Sequence, residues 1–484
     1  MSPYSSIRQR YTLSDSFSFH AVPHAVRTAA KKMAISTAMT GSGIGIIRIS
    51  GEKSVSIAEK IFHPGKKGKK LSEQAAYTAH YGMIKDGEEI IDEVLVLLMK
   101  KPHSYTAEDT VEIHCHGGVY VMKRILDLVI RNGARPADPG EFTKRAFLNG
   151  RIDLSQAEAV MDVIQAKNEY ALKNSVSQLK GSVMKKIRAL REQVLYEIAY
   201  IESALDDPEH ISLEGYPQKL CVKVDNFLKE SEELLTGAEE GRVLREGIRT
   251  VIVGKPNVGK SSLLNVLAGD ERAIVTEIAG TTRDALEEQI RIRGLTLNLV
   301  DTAGIRETED VVERIGVDRA KNMVNEADLV LYVVDSSSVL DENDEEIISF
   351  LKDQNVIVLL NKSDLPSAVN SKMIQERRSK PVISVSAREE TGIEEFADLL
   401  EKMFLEGRVS FNDEVYLTNA RQKNAMEEAK RSFERVKESI EAGMPEDFFS
   451  IDLMAAYDSL GQILGESVGE DLVNEIFSKF CMGK

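Results

Sequence analysis

Residues 250–264 read Thr-Val-Ile-Val-Gly-Lys-Pro-Asn-Val-Gly-Lys-Ser-Ser-Leu-Leu. Thr250 to Val253 are all β-branched and predict a strand. From Lys260 the chain runs into Ser262-Leu263-Leu264-Asn265-Val266-Leu267-Ala268, which predicts a helix. Between them, Gly254-Lys255-Pro256-Asn257-Val258-Gly259-Lys260-Ser261 has the spacing of a P-loop. Glycines let backbone N–H groups curl around phosphates, and a helix N-terminus faces the negative charge. Asn257, Val258, Gly259, Lys260, Ser261 and Ser262 are the expected phosphate-side residues. Lys260 is expected to reach the β- and γ-phosphates and Ser261 to ligate Mg2+.

Three later stretches fit this loop, each after a strand-like run. Leu295 to Val300 leads to Asp301-Thr302-Ala303-Gly304. An acid there holds Mg2+ through water, and the Gly304 N–H senses the γ-phosphate. Val356 to Leu360 leads to Asn361-Lys362-Ser363-Asp364. The Asp364 carboxylate can accept from both N1–H and the N2 amino group of guanine, which adenine cannot offer. Val382 to Val385 leads to Ser386-Ala387-Arg388, whose backbone is expected to meet guanine O6. Together the four motifs in this order specify GTP. Thr282, in Ala279-Gly280-Thr281-Thr282-Arg283-Asp284, is the expected switch hydroxyl on Mg2+, ordered by the γ-phosphate. Ile305 stands where a Ras-type GTPase has its water-orienting Gln. Another polar group must act, and Arg306, Glu307, Glu309, Asp310, Glu313 and Arg314 are the candidates.

Working outward, 484 residues exceed one core, so about three domains are expected. The net charge of −16 gives no overall basic footprint for nucleic acid, so an RNA partner needs a local patch or a helper protein. Three scattered cysteines (Cys115, Cys221, Cys481) argue against a disulfide framework and for a reducing, cytoplasmic setting. No apolar run has the length of a membrane span.

Residues 1–32 hold five basic residues, six serines and one acid, a transit-like composition. The competing reading is non-native sequence ahead of Met33; on either, this extension is expected to be disordered and silent. From Ala34 the pattern is that of a small α+β domain, residues 33–150. Gly41-Ser42-Gly43-Ile44-Gly45 is read as a loop before the strand Ile46 to Ser50, and its glycine spacing is not that of a dinucleotide site. Val94 to Met99 reads as a buried strand, Thr110 to His116 as another, and Val121 to Ile130 as a helix. His114 and His116 share a strand face, but with no second Cys/His pair nearby they do not predict a metal. Asp153 to Leu205 is read as a long helical stretch, with Leu154, Ala157, Val160, Ile164, Val183, Ile187, Leu190, Val194 and Ile198 at helical spacing. Helix is expected again from Val222 to Val243 and after Phe411. The nucleotide domain, 246–407, therefore interrupts a helical domain made of 151–245 and 408–484, an arrangement suited to coupling. The expected fold is multidomain: α+β, all-α, and an inserted P-loop α/β domain with a Ras-like parallel-dominated sheet.

This order of elements, with Gly280-Thr281-Thr282-Arg283-Asp284 and the terminal Phe480-Cys481-Met482-Gly483-Lys484, resembles the bacterial tRNA-modification GTPase family MnmE (TrmE). Gly43 to Gly51 and Pro139 to Gly150 match as well. The resemblance covers about 33–484. It implies a homodimer joined through the N-terminal domain, which binds a tetrahydrofolate derivative (5,10-methylene- or 5-formyl-tetrahydrofolate). It implies an FAD-dependent partner of the GidA (MnmG) type and a heterotetramer. It implies that GTP hydrolysis drives addition of an aminomethyl or carboxymethylaminomethyl group to C5 of the tRNA wobble uridine. It also implies K+-dependent meeting of two G domains. The implied K+ ligands are Asn257 of the P-loop and Thr276, Ile278 and Thr281 of a loop, Thr276 to Thr282, that also includes Glu277, Ala279, Gly280 and Thr282. Such a cation does what an arginine finger does elsewhere. Among the water-orienting candidates, Glu313 takes the family's catalytic position. Arg48, Glu112, Arg151 and Lys484 take the folate-contact positions, with Arg151 where the family can carry Lys. Cys481 resembles the cysteine needed for tRNA modification, as nucleophile or proton carrier. The implied catalytic set is thus Glu313, Cys481, Lys260 and Thr282; Cys115 and Cys221 are read as structural.

A pure switch of the Era or EngA kind is the competing reading. Those proteins carry an RNA-binding appendage after the G domain, whereas here the C-terminal part is helical and acidic without a basic Gly-x-x-Gly loop. A folate transferase with an idle G domain does not fit intact nucleotide motifs.

Overall fold

The computed structural model describes residues 32–37, 40–65, 70–166, 168–268, 288–300, 323–352, 354–369, 380–404, 417–480 and 483. The chain forms two compact units, one of 1–161, 184–212 and 446–484, the other of 162–183 and 213–445.

The first unit is built on a seven-stranded sheet of β1 (Lys32–Ile35), β2 (Ser42–Ser50), β3 (Phe62–Pro64), β4 (Thr78–Asp86), β5 (Glu89–Met99), β6 (Thr110–Gly117) and β7 (Arg135–Pro136), in the order β3-β4-β5-β6-β2-β1-β7. Strand alternation sends Ile47, Ile49, Val94, Val96, Val111, Ile113 and Cys115 to one face. There they meet Ile57, Ala58 and Ile61 of α1 (Ser54–Ile61) and Met122, Ile125 and Val129 of α2 (Val119–Arg131). The strand expected to be wholly buried, β5, instead alternates: Leu95 is 49% exposed between buried Val94 and Val96. The stretch read as a glycine loop is also corrected, because β2 begins at Ser42 and takes in Gly43 and Gly45. Gly45 is needed by packing: an added Cβ there would lie 2.4 Å from the Met122 sulfur. Lys32, assigned to the extension, is the first residue of β1 and pairs with Glu141.

The C-terminal end closes on this unit. Helix α3 (Glu141–Leu148) and helix α13 (Glu470–Ser478) share Phe147, Phe477 and Phe480, with ring centroids 6.2 Å apart for the first pair and 5.0 Å for the second. Gly140 has φ +65, and a Cβ there would lie 2.5 Å from the Phe477 carbonyl.

The expected long helix from Asp153 is three helices: α4 (Leu154–Gln165), α5 (Glu169–Leu179) and α6 (Ser182–Asp206). Periodicity alone misses the breaks. Asn168 caps α5 by accepting from the Ala171 N–H at 2.7 Å, and Gly181 turns the chain at φ +86. Helix α7 (Tyr216–Glu246) starts earlier than Val222. In the second unit it packs on α11 (Ala420–Glu441) through Phe227 and Phe433, 5.3 Å between rings. Helix α12 (Glu446–Leu464) follows in the chain.

The second unit holds a six-stranded sheet of β8 (Ile248–Val253), β9 (Glu288–Ile292), β10 (Leu295–Leu299), β11 (Leu329–Asp335), β12 (Val356–Asn361) and β13 (Val382–Ser384). The order is β13-β12-β11-β8-β10-β9, parallel except for the β9–β10 hairpin. Its strands are apolar on both faces because both are covered. One face packs Leu263, Leu264 and Leu267 of α8 (Lys260–Ala268) and Phe396 and Leu400 of α10 (Ile393–Phe404). The other packs Ile348 of α9 (Glu342–Phe350) and Leu351. Loops after β8, β12 and β13 gather at the carboxyl edge, where such sheets bind ligands.

Candidate functional site

Strand β8 delivers Gly254 to Lys260 as a tight loop before α8. Two glycines cannot be replaced here. A Cβ on Gly254 (φ +155) would sit 2.4 Å from the Val333 carbonyl, and one on Gly259 (φ +92) 2.3 Å from the Asn361 amide. Asn257 is exposed at φ +63, a left-handed conformation that Asn tolerates best among side-chain-bearing residues. The Lys260 ammonium donates to the carbonyls of Gly254 and Lys255, 2.7 Å each. Burial pushes its pKa down, so the cation is partly stripped of water where a phosphate belongs. Ser261 and Ser262 are exposed in the first turn of α8. The open Ser261 hydroxyl beside a helix N-terminus suits a hard cation that shares oxygens with phosphate.

The loops expected to read the base are hydrogen-bonded to this loop. Asn361, at the end of β12 and 2% exposed, donates to the Val258 carbonyl at 2.8 Å and accepts from the Ala387 N–H at 3.1 Å. That N–H, expected at guanine O6, is thus committed to Asn361. Lys362 has φ +62 and reaches Asp335 at 2.6 Å. The Ser386 hydroxyl donates to Asp364 at 2.6 Å, and this bond holds the Asp364 carboxyl below the usual carboxylate range. One carboxylate oxygen is thereby fixed and the acid stays charged. Arg388 is exposed.

One part of this site was not visible in the sequence. Lys255 pairs with Asp344 at 2.6 Å and Asp341 at 2.9 Å, and these acids raise its pKa. Asp344 is 2% exposed, also accepts from the Tyr332 hydroxyl at 2.9 Å, and forms a capping box with Asp341 at the start of α9. The P-loop backbone is so tied to the helix after β11 through partners 86 and 89 residues away. No local pattern announces such a pair.

In the first unit, Arg48 and Glu112 stand directly opposite across β2 and β6. The Arg48 Nε donates to Glu112 at 2.7 Å, and the other Glu112 oxygen lies 3.3 Å from His114 Nε2. A further Arg48 nitrogen donates to the Gly483 carbonyl at 3.3 Å, which also accepts from Ser36. The Arg48 guanidinium lies 5.6 Å from the rings of both Tyr105 and Phe142, and that of Arg151 lies 5.0 Å from Tyr105. Three of the four expected folate residues, Arg48, Glu112 and Arg151, therefore converge around Tyr105, which sequence reasoning missed. A carboxylate, two cations and an aromatic face fit a heterocycle with an anionic tail. His116 pairs with Asp92 at 2.7 Å, and no group of three metal-ligating side chains occurs among the described residues. Cys115 donates to the Gly45 carbonyl, and burial pushes its thiol up to about 11, an unreactive setting. No helix of the described residues is long and apolar enough to cross a membrane.

Thr276 to Thr282, Asp301 to Gly304, Glu313, Cys481 and Lys484 lie outside the described residues.

Two family descriptions match the chain: "GTP-binding protein TrmE N-terminus" over 32–151 and "MnmE helical domain" over 154–481. The tRNA modification GTPase MnmE of Lachnoclostridium phytofermentans is 58% identical over 451 residues, covering 93% of this chain and 98% of that protein. That of Bacillus subtilis is 45% identical over 455 residues, covering 93% and 99%. Among solved structures, Aquifex aeolicus Era bound to GDP and aluminium fluoride is 30% identical, covers 38% of this chain and 66% of its own, and has a TM-score of 0.26.

Proposed function

The chain belongs to the MnmE family of tRNA modification GTPases and is a GTP hydrolase; from that premise we propose that GTP hydrolysis drives folate-dependent modification of the tRNA wobble uridine. The product is an aminomethyl or carboxymethylaminomethyl group at C5, made with an FAD-dependent GidA/MnmG-type partner in a heterotetramer, in the cytoplasm. The division is a folate and dimerisation domain at 33–150, a helical domain of 151–245 and 408–484, and a G domain at 246–407.

The observation that carries the transfer half of this reading is the Gly483 carbonyl on Arg48, beside Glu112. It brings the C-terminal end of the chain to the residues read as folate contacts. Arg48 and Arg151 then hold the anionic part of a folate, Glu112 pairs with its ring edge, and Lys484 adds a cation. When bound, the tetrahydrofolate derivative supplies the one-carbon unit. Glu112 already serves Arg48 and His114, so a ligand that pairs with it exchanges one of those bonds. Cys481 acts there as nucleophile or proton carrier. A second copy suits the sheet face opposite α1 and α2, where Ile44, Tyr81 and Leu95 stand exposed.

In the G domain, Lys260 and the start of α8 offset phosphate charge, Asp364 reads guanine, and Glu313 orients the attacking water. Ser261 and Thr282 hold Mg2+; Asn257, Thr276, Ile278 and Thr281 hold K+, which supplies positive charge near the phosphates. Turnover is accordingly expected to be about tenfold or more faster in K+ than in Na+ at equal ionic strength, since a lost transition-state charge contact costs at least that. Equal rates would remove the cation role from Asn257.

The decisive experiment is mass spectrometry of tRNA nucleosides from cells lacking this gene, complemented with wild type or Cys481→Ser. The modified wobble uridines are expected to vanish and to return with wild type only. An unchanged nucleoside pattern would leave a GTPase whose work lies elsewhere, as in the switch reading.

A further inference from the structure

Lys260, the cation assigned to the phosphates, rests on the loop that it belongs to. Its ammonium donates to the Gly254 and Lys255 carbonyls at 2.7 Å each, so those two carbonyls set where the charge stands before a nucleotide arrives. Gly254 is fixed by packing against the Val333 carbonyl. Lys255 is fixed by its side chain, which donates to Asp344 at 2.6 Å and to Asp341 at 2.9 Å. Asp344 is in turn held from several directions. The oxygen that meets Lys255 also accepts from the Asp341 N–H at 3.0 Å, and the Asp344 N–H donates to the Asp341 carboxylate at 3.1 Å. Its other oxygen accepts from the Tyr332 hydroxyl at 2.9 Å. Tyr332, 1% exposed, stands opposite Val253 where β11 pairs with β8, the strand that leads into the loop. Loop, start of α9, β11 and β8 thus form a closed circuit that needs no nucleotide. An exposed ion pair would add little to it, but Asp344 is buried, and a buried carboxylate holds its cation firmly.

We propose that Lys255 is a positioning residue for nucleotide binding: clamped by Asp341 and Asp344, it fixes the carbonyl on which Lys260 rests, so that the empty P-loop already has the shape the phosphates require. The inference rests on the role assigned to Lys260 above and adds the groups that place it. A cradle of free backbone has to be ordered as the phosphates bind, and that cost is subtracted from affinity. The Lys255 ammonium is engaged with α9, so its contribution is the same for substrate and transition state. Losing it should raise KM and leave kcat nearly unchanged. GDP should suffer as much as GTP, since the clamp acts on the loop and not on the γ-phosphate.

The test uses the full-length chain, with titrations of fluorescent GDP and of a fluorescent non-hydrolysable GTP analogue, steady-state GTP turnover, and thermal unfolding without nucleotide. Lys255→Met is expected to weaken both nucleotides about tenfold, the scale on which fixing the backbone of one residue acts, and to raise KM by a similar factor. Its kcat should stay within about twofold of wild type. Lys255→Arg keeps a cation able to bridge the two carboxylates and should restore affinity. Lys255→Met leaves the Asp344 carboxylate without its cation and is expected to melt lower, so Tyr332→Phe gives a second reading. It removes one bond that aims Asp344, keeps the packing of the ring, and should weaken both nucleotides by a smaller factor with kcat unchanged. A lower melting temperature in Lys255→Met with wild-type affinity for both nucleotides would make the pair a purely structural one and overturn the proposal. A fall in kcat at unchanged KM would overturn it too, as would wild-type affinity in Tyr332→Phe should Lys255→Met fail to fold. Unchanged turnover in Lys260→Met would remove the role of Lys260, and the proposal with it.

Discussion

Asp364→Asn should lower affinity for GTP by about a thousandfold or more and create affinity for xanthosine triphosphate, because a site built to hydrogen-bond one ligand's polar edge rejects a ligand that cannot complete those bonds. The direction follows from Ser386. Its hydroxyl donates to one Asp364 oxygen at 2.6 Å and is itself held by the Glu389 N–H at 3.1 Å. In the variant the amide oxygen keeps that donor, so the amide nitrogen takes the place of the other carboxylate oxygen. Guanine then meets a donor with its own N1–H and N2 donors. Xanthine carries an oxygen in place of the N2 amino group and accepts instead. Competition of the two triphosphates for a fluorescent nucleotide measures the change. Unaltered preference for GTP would mean that the base is read by other groups. The same acid sets a pH limit: its pKa is lowered in the fold, so its charge and the stability it contributes are complete at neutral pH. Both are lost only as pH falls from the ordinary carboxylate range through the lowered value.

The parts legible in the sequence were those whose physics is local. A β-branched run, a glycine turn and a helix start announce themselves within fifteen residues, and β8, β10, β12 and β13 lie where their apolar runs predicted. What misled was also local pattern taken alone. Gly43 and Gly45 looked like a loop, but both lie in β2, and at Gly45 the glycine is there because Met122 fills the space a side chain would need. A continuous helical period hid two breaks, since neither the Asn168 cap nor Gly181 disturbs the spacing of apolar residues on either side.

The candidate sites divide along the same line. Asn361, Lys362 and Asp364 could be assigned because one short motif carries all three. Tyr105 could not, since nothing in its flanking residues distinguishes an aromatic that stands between two arginines from one on a surface. Nor could Lys255, whose meaning comes from two acids far along the chain. Arg48 and Glu112 are 64 residues apart and meet only because β2 and β6 are neighbours in register. Contacts of this kind depend on strand order, which the apolar pattern of individual strands leaves open.

Lys260→Met should reduce GTP turnover by about a thousandfold, the cost of removing a charge aimed at the developing phosphate charge. It should nevertheless leave the nucleotide-free protein at least as stable. In the absence of phosphate the Lys260 ammonium is partly desolvated and held by two neutral carbonyls, with no carboxylate among its hydrogen-bond partners in the described residues. Burial lowers its pKa, so the folded chain binds this proton less tightly than the unfolded one. The penalty is therefore complete below the lowered pKa. It is relieved as pH rises toward the ordinary lysine value of about 10.4, where the unfolded chain still holds the proton. Methionine keeps the length and flexibility of the stem without the charge. The midpoint of thermal unfolding without nucleotide should thus rise or hold for the variant at neutral pH, and its lead over wild type should shrink as the pH is raised. Glu313→Ala offers the contrast: on the role proposed for Glu313, turnover is expected to be lost while GTP binding is kept. A variant at Lys260 that melts well below wild type without nucleotide would show that the two carbonyl bonds outweigh the desolvation. A strained, partly dehydrated cation is what a phosphate site requires, because only the ligand completes its coordination; the P-loop is less stable empty than a loop built for stability alone.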